Sequence, residues 1–485
     1  MIEIKPKIHD RNTLEMKVGF IAQDGRRHSE FLMNTWIYVP ETLDVNRFTY
    51  SKDTFYRDTR SYVRLITPCY KLAEFSDDTL LPYVRLRRAC VGVVENLTDE
   101  TRRVYEGEVK MFASIVKSSI RDGYDAVVAC EDGDARARLC EEYVADIATV
   151  LRHFRHLRDV FGNIGGRGAV SEPFDFADEF ISNVVEQHLF RLSDAIARAD
   201  GALKPGVADC LERLLRREDA YRRRKGFLRV DSGDSSHNRK FVYRAGQLKK
   251  YIESNLYLPV HKRSNTVFLE QVAFSVAAGI SMVFATIISF AFQQTYGNFT
   301  LPFFMALVIS YMFKDRIKEL VRAYFASRLS SRFYDYVIRI SVGGRKLGLS
   351  KEGFDFVPSG KVSKHVREKR AMKSPLLIGR GVDEQVMQFR KKVRLSRKAV
   401  AHLSQYPLVG VNEIIRYNLS EFMRRMDNPQ VPLYYNSGSA ATCQVRGDKV
   451  YYINIVILCA CDGQREYKRY KVCLSQAGIK GIEET

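Results

Sequence analysis

The first part of the chain alternates between apolar and polar positions with a period of two. Apolar side chains occupy every second position from Leu14 to Phe20, and a second apolar run extends from Phe31 to Val39. This period is typical of strands with one buried face. Asp24-Gly25 lies between the runs and favours a tight turn. We therefore predict a small N-terminal region, residues 1–76, made of a β-hairpin and one helix.

The helix of this region is predicted from its capping residue. Ser51 precedes Lys52-Asp53, and a serine at this place accepts hydrogen bonds from the first free amides of a helix. We expect the helix to extend through Ile66, because Pro68 would stop it.

The period then changes to that of an α-helix. In the run that follows Asp99 and again from Glu141 to Val160, apolar residues recur three and four positions apart. We predict a bundle of four to six helices over residues 77–225. The acidic segment Glu131–Asp134 fits a helix N-terminus, where carboxylates complement the helix dipole.

The middle of the chain contains a long uncharged segment. From Gln271 to Phe313 there is no Asp, Glu, Lys, Arg or His over 43 residues. Val272–Phe292 has 21 residues and Tyr296–Phe313 has 18, while a helix of about 20 residues crosses the hydrocarbon of a bilayer. We predict a two-helix transmembrane hairpin over residues 271–313. The alternative is a helical hairpin buried in a large soluble core.

Basic residues flank this segment on both sides. Residues 221–270 hold 12 Lys or Arg against 4 acids, and we interpret residues 226–270 as a basic juxtamembrane linker. Lys314, Arg316 and Lys318 follow the apolar segment. Because basic flanks stay on the cytoplasmic side, we expect a two-span, multi-pass integral protein of the cell inner membrane with both termini in the cytoplasm.

Small residues form a stripe along the first apolar helix. They recur every four positions, and such stripes let helix backbones approach closely. Packing of the hairpin helices on each other, association between chains to form a homo-oligomer, and the lining of a pore all fit this stripe. Its members, our candidate helix-packing residues, are Ala273, Ala277, Ser281, Ala285 and Ser289.

The C-terminal half is predicted to be basic and of mixed α/β structure. We divide it into an amphipathic helix with a basic linker, residues 314–375, and basic helices followed by a β-meander, residues 376–485. Val382–Leu403 is predicted as an amphipathic helix, and the meander begins at about Ala441. Strands at both ends of the chain would allow a composite β domain.

Charge is distributed unevenly along the chain. The net charge is +20 overall, −5 for residues 1–220, +8 for residues 221–270 and +17 for residues 271–485. We expect the basic half to contact anionic phospholipid headgroups or an acidic partner. Nucleic acid is disfavoured, because aromatic side chains are not interleaved for base stacking. The proposed contact residues are Lys391, Lys392, Arg394, Arg397 and Lys398.

The sequence contains no motif that assigns a catalytic, cofactor-binding or metal-binding residue. Gly162–Gly168 lacks the Gly-Lys-Ser/Thr ending of a phosphate loop. His153 and His156 have no second Glu-x-x-His motif to share a metal with, and none of the nine cysteines forms a C-x-x-C pair.

Taken together, these patterns predict a mainly α membrane protein of the α+β type. A two-helix transmembrane hairpin would lie between a cytosolic helical-bundle N-terminal region and a basic α/β C-terminal region. We expect a membrane-anchored scaffold, sensor or recruitment protein rather than an enzyme. The alternatives are an oligomeric channel or pore, with Ser275, Ser281 or Ser289 lining it, and a membrane-tethered enzyme of unrecognised type with its site in the 77–225 bundle.

Overall fold

The chain divides into two compact units. The computed structural model describes residues 2–21, 28–161, 168–201, 204–297, 300–332, 334–342, 345–371, 384–396, 398–399, 406, 410–436, 438, 442–461 and 463–485. Unit 1 combines Met1–Arg64, Leu258–Gln405 and Val409–Thr485. Unit 2 combines Leu65–Tyr257 and Tyr406–Leu408.

The elements are numbered in chain order. The strands are β1 (Ile2–Ile8), β2 (Thr13–Ile21), β3 (His28–Pro40), β4 (Thr59–Leu65), β5 (Val260–Ser264), β6 (Tyr336–Val342), β7 (Arg345–Phe356), β8 (Glu384–Ser396), β9 (Gly410–Asn418), β10 (Gln430–Asn436), β11 (Thr442–Asp448), β12 (Tyr451–Cys461), β13 (Gln464–Ser475) and β14 (Gly478–Glu484). The longer helices are α1 (Lys52–Asp58), α2 (Leu81–Glu95), α3 (Asp99–Ala129), α4 (Gly133–His156), α5 (Gly168–Asp200), α6 (Pro205–Lys225), α7 (Ser235–Glu253), α8 (Thr266–Tyr296), α9 (Leu301–Arg332) and α10 (Lys364–Ala371).

An eight-stranded antiparallel sheet is the largest element of unit 1. Its order is β14-β13-β12-β3-β8-β7-β6-β5. The N-terminal strand β3 pairs with β8 on one side and with the C-terminal strand β12 on the other. The sequence left open whether the strands at the two ends of the chain form one domain, and the pairing of β3 with β12 joins them in one sheet. The C-terminal meander consists of β12, β13 and β14, whereas β11 pairs with β10 in a separate two-stranded sheet.

A second sheet has the order β1-β2-β9-β4. The predicted hairpin between Leu14–Phe20 and Phe31–Val39 is wrong, because β2 belongs to this sheet and β3 to the larger one. β2 pairs with the preceding strand β1 and with the distant β9, whereas β3 pairs with the distant β8 and β12. Local alternation identified the strands but not these partners. The turn at Asp24-Gly25 lies outside the described residues.

The predicted cap of α1 is confirmed, and its predicted end is wrong. The Ser51 hydroxyl accepts a hydrogen bond from the Thr54 amide at 3.2 Å. The helix ends at Asp58, and β4 begins at the next residue instead of the helix continuing to Ile66.

Apolar side chains fill both faces of the large sheet. On one face the Phe55 ring stacks on Phe354 at 3.9 Å between centroids and lies 5.4 Å from Phe389 and 6.4 Å from Tyr417 of β9. These contacts join α1, the large sheet and the four-stranded sheet. On the other face Val366 of α10 packs in a cluster with strand residues that include Trp36 and Tyr38.

Unit 2 is a helical bundle, as the period of its sequence predicted. Helices α2 to α6 fall within residues 77–225, and α7 follows them. The capping role of the acidic segment is confirmed, since the Asp132 carboxylate accepts hydrogen bonds from the amides of Asp134 and Ala135. Residues 226–270 are not a single linker, because α7 belongs to unit 2 and β5 to unit 1.

The predicted fold class is wrong. The structure is 55% helix and 29% strand, with large sheets that a mainly α hairpin protein would lack. Among the residues that the structure describes, one helix is long and apolar enough to cross a membrane, judged by length and composition alone. Its apolar part is Phe274–Tyr296, with a mean hydropathy of 2.0.

The second predicted span fails because its helix starts later than expected. Helix α8 continues to Tyr296 and ends at Gly297, whose φ of 71° is accessible mainly to glycine. Helix α9 begins only at Leu301, and Lys314 ends its uncharged part. Leu301–Phe313 is about 20 Å long at 1.5 Å per residue, which is shorter than the hydrocarbon thickness of about 30 Å.

Candidate membrane-contacting site

Helices α8 and α9 are inserted between two paired strands. β5 and β6 are neighbours at the edge of the large sheet, with Val260 opposite Ile340. At the base of the helices the Asn265 amide donates to the Asp335 carbonyl at 2.9 Å. Both ends of the helical pair therefore return to one place on the sheet.

The Asp335 carboxylate strengthens this base. Its Oδ2 accepts hydrogen bonds from the Tyr56 hydroxyl and the Phe354 amide, both at 2.8 Å, and its Oδ1 lies 3.0 Å from Lys52 Nζ. The side chain is 7% exposed. These contacts join α1, β7 and the segment that follows α9, so the helical pair is attached to a fixed point of unit 1.

Small residues lie where the two helices touch. Ala277 and Ser281 of α8 are buried, as are Ala306 and Ser310 of α9. The Ser310 hydroxyl donates to the Ala285 carbonyl at 3.4 Å. The small-residue stripe thus packs the two helices of one chain against each other.

The other members of the stripe contribute less to this contact or are not described. Ala285 and Ser289 are half-buried, and the side chain of Ala273 lies outside the described residues. Because Ser281 is buried against α9, it is not available to line a pore. Association between chains stays a prediction.

Outside this contact the helical pair is covered by exposed apolar side chains. Only 11% of the apolar stretch of α8 is buried, whereas a core helix of a soluble protein would be mostly buried. This exposure argues against a hairpin enclosed in a soluble core. The exposed side chains include Val276, Ile280, Met282, Val283, Ile287 and Phe290 on α8, and Leu301, Phe304, Met305, Val308, Ile309, Tyr311, Met312 and Phe313 on α9.

Charged residues border the apolar surface on the side nearer the sheet. Lys314 Nζ lies 4.5 Å from the centre of the Tyr311 ring, and the Arg322 guanidinium lies 4.2 Å from that of Phe274. Such positions let a cation cover an aromatic ring while keeping its charge near water. The helices are antiparallel, so the fully uncharged end comprises Met282–Tyr296 and Leu301–Phe313 and is about 20 Å long. We call these two segments the apolar end.

The four described members of the five predicted lipid-contact residues do not form one surface patch, because Lys391 is buried. The helix predicted over Val382–Leu403 is wrong, because β8 occupies Glu384–Ser396. Lys391 is buried within unit 1, and Lys398 is exposed. Arg397 lies outside the described residues.

Two of the remaining basic residues are paired with an acid on the neighbouring strand. Lys392 Nζ lies 3.0 Å and Arg394 Nε 3.7 Å from the carboxylate of Glu30 on β3. The hydrogen bond from Lys392 lowers the pKa of Glu30. Their charge is therefore partly compensated within the sheet.

Lys391 forms the centre of a buried charged cluster that sequence reasoning missed. Its ammonium group contacts Glu352 Oε1 at 2.8 Å, the Ser61 hydroxyl at 2.5 Å, and the carboxylate of Glu413. Glu352 also lies 3.4 Å from Lys262 Nζ. The side chains of Lys391, Glu352 and Glu413 are 2%, 4% and 3% exposed.

The electrostatics of this cluster exclude one catalytic interpretation. Burial alone would lower the pKa of Lys391, but the carboxylates of Glu352 and Glu413 outweigh burial and raise it. Lys391 is therefore protonated near neutral pH, whereas a lysine that activates a serine must accept a proton. The contact between Ser61 and Lys391 is structural. One signal in the sequence could have identified Lys391 as buried. In a strand with a period of two, it occupies the same face as the apolar residues Phe389 and Val393.

The candidate histidines of the bundle do not meet a second ligand group. His153 Nδ1 lies 3.5 Å from Asp78, and His156 Nδ1 lies 3.1 Å from Asp159. In the described ranges no group of three or more His, Cys, Asp or Glu side chains could hold a metal ion. The glycine-rich segment 162–167 lies outside those ranges.

Comparison of the chain with models of known protein families, with curated proteins and with solved structures finds no match. Its function is therefore argued from its own residues.

Proposed function

We propose that this protein attaches to a lipid membrane through the apolar end of α8 and α9 and works at that surface as a scaffold, sensor or recruitment protein. The observation that carries the proposal is the exposure of large apolar side chains around the helical pair. The proposal requires one membrane-embedded apolar segment and does not require two complete crossings.

The energetics favour lipid as the medium around the apolar end. Moving a large apolar side chain out of water contributes about 1.5–3 kcal/mol. Several such side chains are exposed on each helix, so transfer of even a few of them into lipid would hold the protein firmly. Lys314, Arg316 and Lys318 follow the apolar end of α9, and each basic residue near an anionic surface adds about 1 kcal/mol.

The pairing of β5 with β6 supports an orientation. Since α8 begins and α9 ends at the same sheet edge, the rest of unit 1 would lie on one side of the membrane. The basic flanks favour the cytoplasmic side. We therefore place both termini in the cytoplasm, at the inner membrane of the cell. This arrangement would hold two folded units at the surface, where they could receive or assemble partners.

Vesicle flotation tests the proposal. The full chain, diluted from detergent into phosphatidylcholine vesicles with and without an anionic lipid, should float with both and bind more tightly to the anionic ones. The double variant Ile287→Arg, Phe290→Arg should lose more than about 100-fold in membrane partition, because arginine at membrane depth costs about 2.5–3.5 kcal/mol per residue. Both replaced side chains are exposed, so folding should persist.

A matched control uses an exposed aromatic residue elsewhere in unit 1. Phe48 is 94% exposed in the segment before α1, and Phe48→Arg should float like the unmodified chain. If the unmodified chain stayed with the soluble fraction, or if Phe48→Arg abolished flotation equally, the proposal would be wrong.

A further inference from the structure

A cavity lies between α4 and α6 in unit 2. Its volume is about 260 Å³. The lining contains four arginines against one carboxylate, and these are Arg152, Arg155, Arg217, Arg224 and Glu218.

The spacing of these residues brings them to one place. On α6, Arg217, Tyr221 and Arg224 follow each other at intervals of four and three residues, so they share a face of the helix. On α4, Arg152 and Arg155 are three residues apart and share a face in the same way. The cavity lies where these two faces meet.

One wall of the cavity is held by a dense polar network. Arg155 donates from Nη1 and Nη2 to the two carboxylate oxygens of Glu218 at 2.7 and 2.8 Å, and from Nε to Asp178 at 3.1 Å. Its guanidinium lies 3.6 Å from the centre of the Tyr221 ring, and the Tyr221 hydroxyl donates to Asp178 at 2.5 Å. Glu218 and Asp178 are buried. The charge of Arg155 is therefore compensated, and this wall is preorganised.

The other three arginines are not compensated. Among the described residues, the neighbouring Arg155, Arg216 and Arg223 form ion pairs. The exposed Arg152, Arg217 and Arg224 take part in none of the ion pairs of the described residues. Their side chains border a concave site instead of spreading around the helices. Like charges that face one cavity repel each other, and a bound anion would remove this repulsion.

We propose that this cavity binds a small phosphorylated molecule. Guanidinium groups match phosphate oxygens with paired hydrogen bonds, and three of them without a carboxylate partner would hold one or two phosphate groups. Ala148, Leu151 and Leu214 supply an apolar lining, and the Tyr221 ring supplies an aromatic one. The phosphate would lie among the arginines, and an apolar or aromatic part of the ligand would lie on these side chains.

The size of the cavity restricts the ligand further. Ligand pockets commonly have volumes of about 300–1,000 Å³, and this one lies just below that range. A ligand of the size of a nucleotide or a phosphorylated headgroup fits better than a polymer. This inference concerns unit 2 and does not depend on membrane attachment.

Isothermal titration calorimetry of the full chain in detergent micelles tests the site. The probes are inorganic pyrophosphate, ADP and a water-soluble glycerophosphoinositol phosphate, so a free metabolite and a lipid headgroup are distinguished without vesicles. We expect ADP to bind more tightly than pyrophosphate and than the headgroup, because the adenine ring is the only aromatic or apolar part among the three probes that could lie on this lining. Arg217→Glu and Arg224→Glu should each weaken binding about tenfold or more, as expected for loss of a charge-assisted hydrogen bond.

The control makes the same charge change on α4, far from the cavity. Arg138 is exposed, does not line the cavity and lies 14 residues before Arg152 on α4, which is about 21 Å along the helix. Arg138→Glu should therefore change affinity by no more than about twofold, since distant surface charges are screened. Circular dichroism should show that all three variants keep their helices. The proposal is overturned if no probe binds at about 1 mM, or if Arg138→Glu weakens binding as much as the cavity variants do.

Discussion

Two regions of unit 1 depart from the usual distribution of residues in opposite ways. In the sheet region, Lys391, Glu352 and Glu413 place charges in the interior. In the helical pair, side chains such as Ile287 and Phe290 place large apolar groups on the surface. A buried charge and an exposed apolar surface both carry a free-energy penalty unless a partner removes it.

The difference lies in where the partner is found. The ammonium group of Lys391 has oxygen partners within the protein for all three of its donors. Among the described residues, the apolar end is buried mainly along the contact between α8 and α9. The first region is thus complete by itself, whereas the second needs something outside the chain. The comparison predicts that mutations in the first act on stability with or without lipid, and mutations in the second act on membrane attachment.

The largest effect on stability is expected at Lys391. Lys391→Met leaves Glu352 and Glu413 buried without their shared cation, and breaking a buried ion pair in this way costs about 3–5 kcal/mol. Urea unfolding followed by tryptophan fluorescence measures it, because Trp36 is the single tryptophan and lies in β3 of the same sheet. The loss of stability should be smaller at pH 5 than at pH 8. Without the lysine, burial raises the pKa of both carboxyl groups, so they bind protons and become neutral as the pH falls.

The neighbouring lysine is a matched control. Lys392 lies on the same strand, is half exposed and pairs with Glu30 at the surface, so Lys392→Met should cost no more than about 1 kcal/mol. Equal losses for the two variants would contradict the role of burial at Lys391.

A variant that lacks all three charges separates two quantities: the net contribution of the whole cluster to stability, and the cost of leaving two buried carboxylates without their cation. We expect the combination Lys391→Met, Glu352→Leu and Glu413→Leu to recover most of the loss, because replacing a whole buried ion cluster with apolar residues is often neutral. The same unfolding assay measures the recovery. A triple variant that is less stable than Lys391→Met would show that the charges themselves stabilise the sheets.

A smaller effect is expected at the contact between α8 and α9. Ala277→Leu forces extra atoms into a buried position opposite α9, and such overpacking costs about 1–3 kcal/mol. Ile280→Leu, on the exposed side of α8, is the matched control. Limited proteolysis in detergent should cut the helical pair faster in the first variant only. Equal cutting rates would indicate that the stripe does not hold the two helices together.

The helical bundle could be predicted because its signal is strong within short segments. A helix buries its stripe at intervals of three and four residues, so Val144, Ile147 and Leu151 of α4 identify it without knowledge of its neighbours. The presence of strands at both ends was predicted in the same way. Their partners were not, because β3 pairs with β8 and β12, hundreds of residues away, and pairing at such distances leaves no local pattern.

The error in β8 has a specific cause. In β8, Lys391 lies between Phe389 and Val393 on the face that these two residues share, so a charge stands where a buried apolar residue would continue the alternation. Val386, Phe389 and Val393 are spaced by three and four residues and therefore resemble a helical stripe, although Val386 lies on the opposite face of the strand. The lysine is then interpreted as a residue of the polar face. The lysine that favours the helix prediction, Lys391, is buried in the folded protein. The arginine-lined cavity was missed for a related reason, since only the packing of α6 against α4 brings its two halves together.

The smallest effect is expected at His188, which extends the comparison to unit 2. It is a largely buried basic group like Lys391, but its Nδ1 contacts the backbone carbonyl of Val184 at 2.8 Å instead of a carboxylate. Burial therefore lowers its pKa, although the carbonyl opposes this. A lowered pKa means that the unfolded chain binds a proton more readily than the folded chain does. His188 should therefore destabilise the bundle as pH falls from about 6.5 towards its folded pKa.

Circular dichroism of the helices during thermal unfolding should show this loss of stability, and His188→Gln should reduce it. If His188→Gln left the pH dependence unchanged, a buried basic group without a carboxylate would be as well satisfied as Lys391, and the comparison would fail.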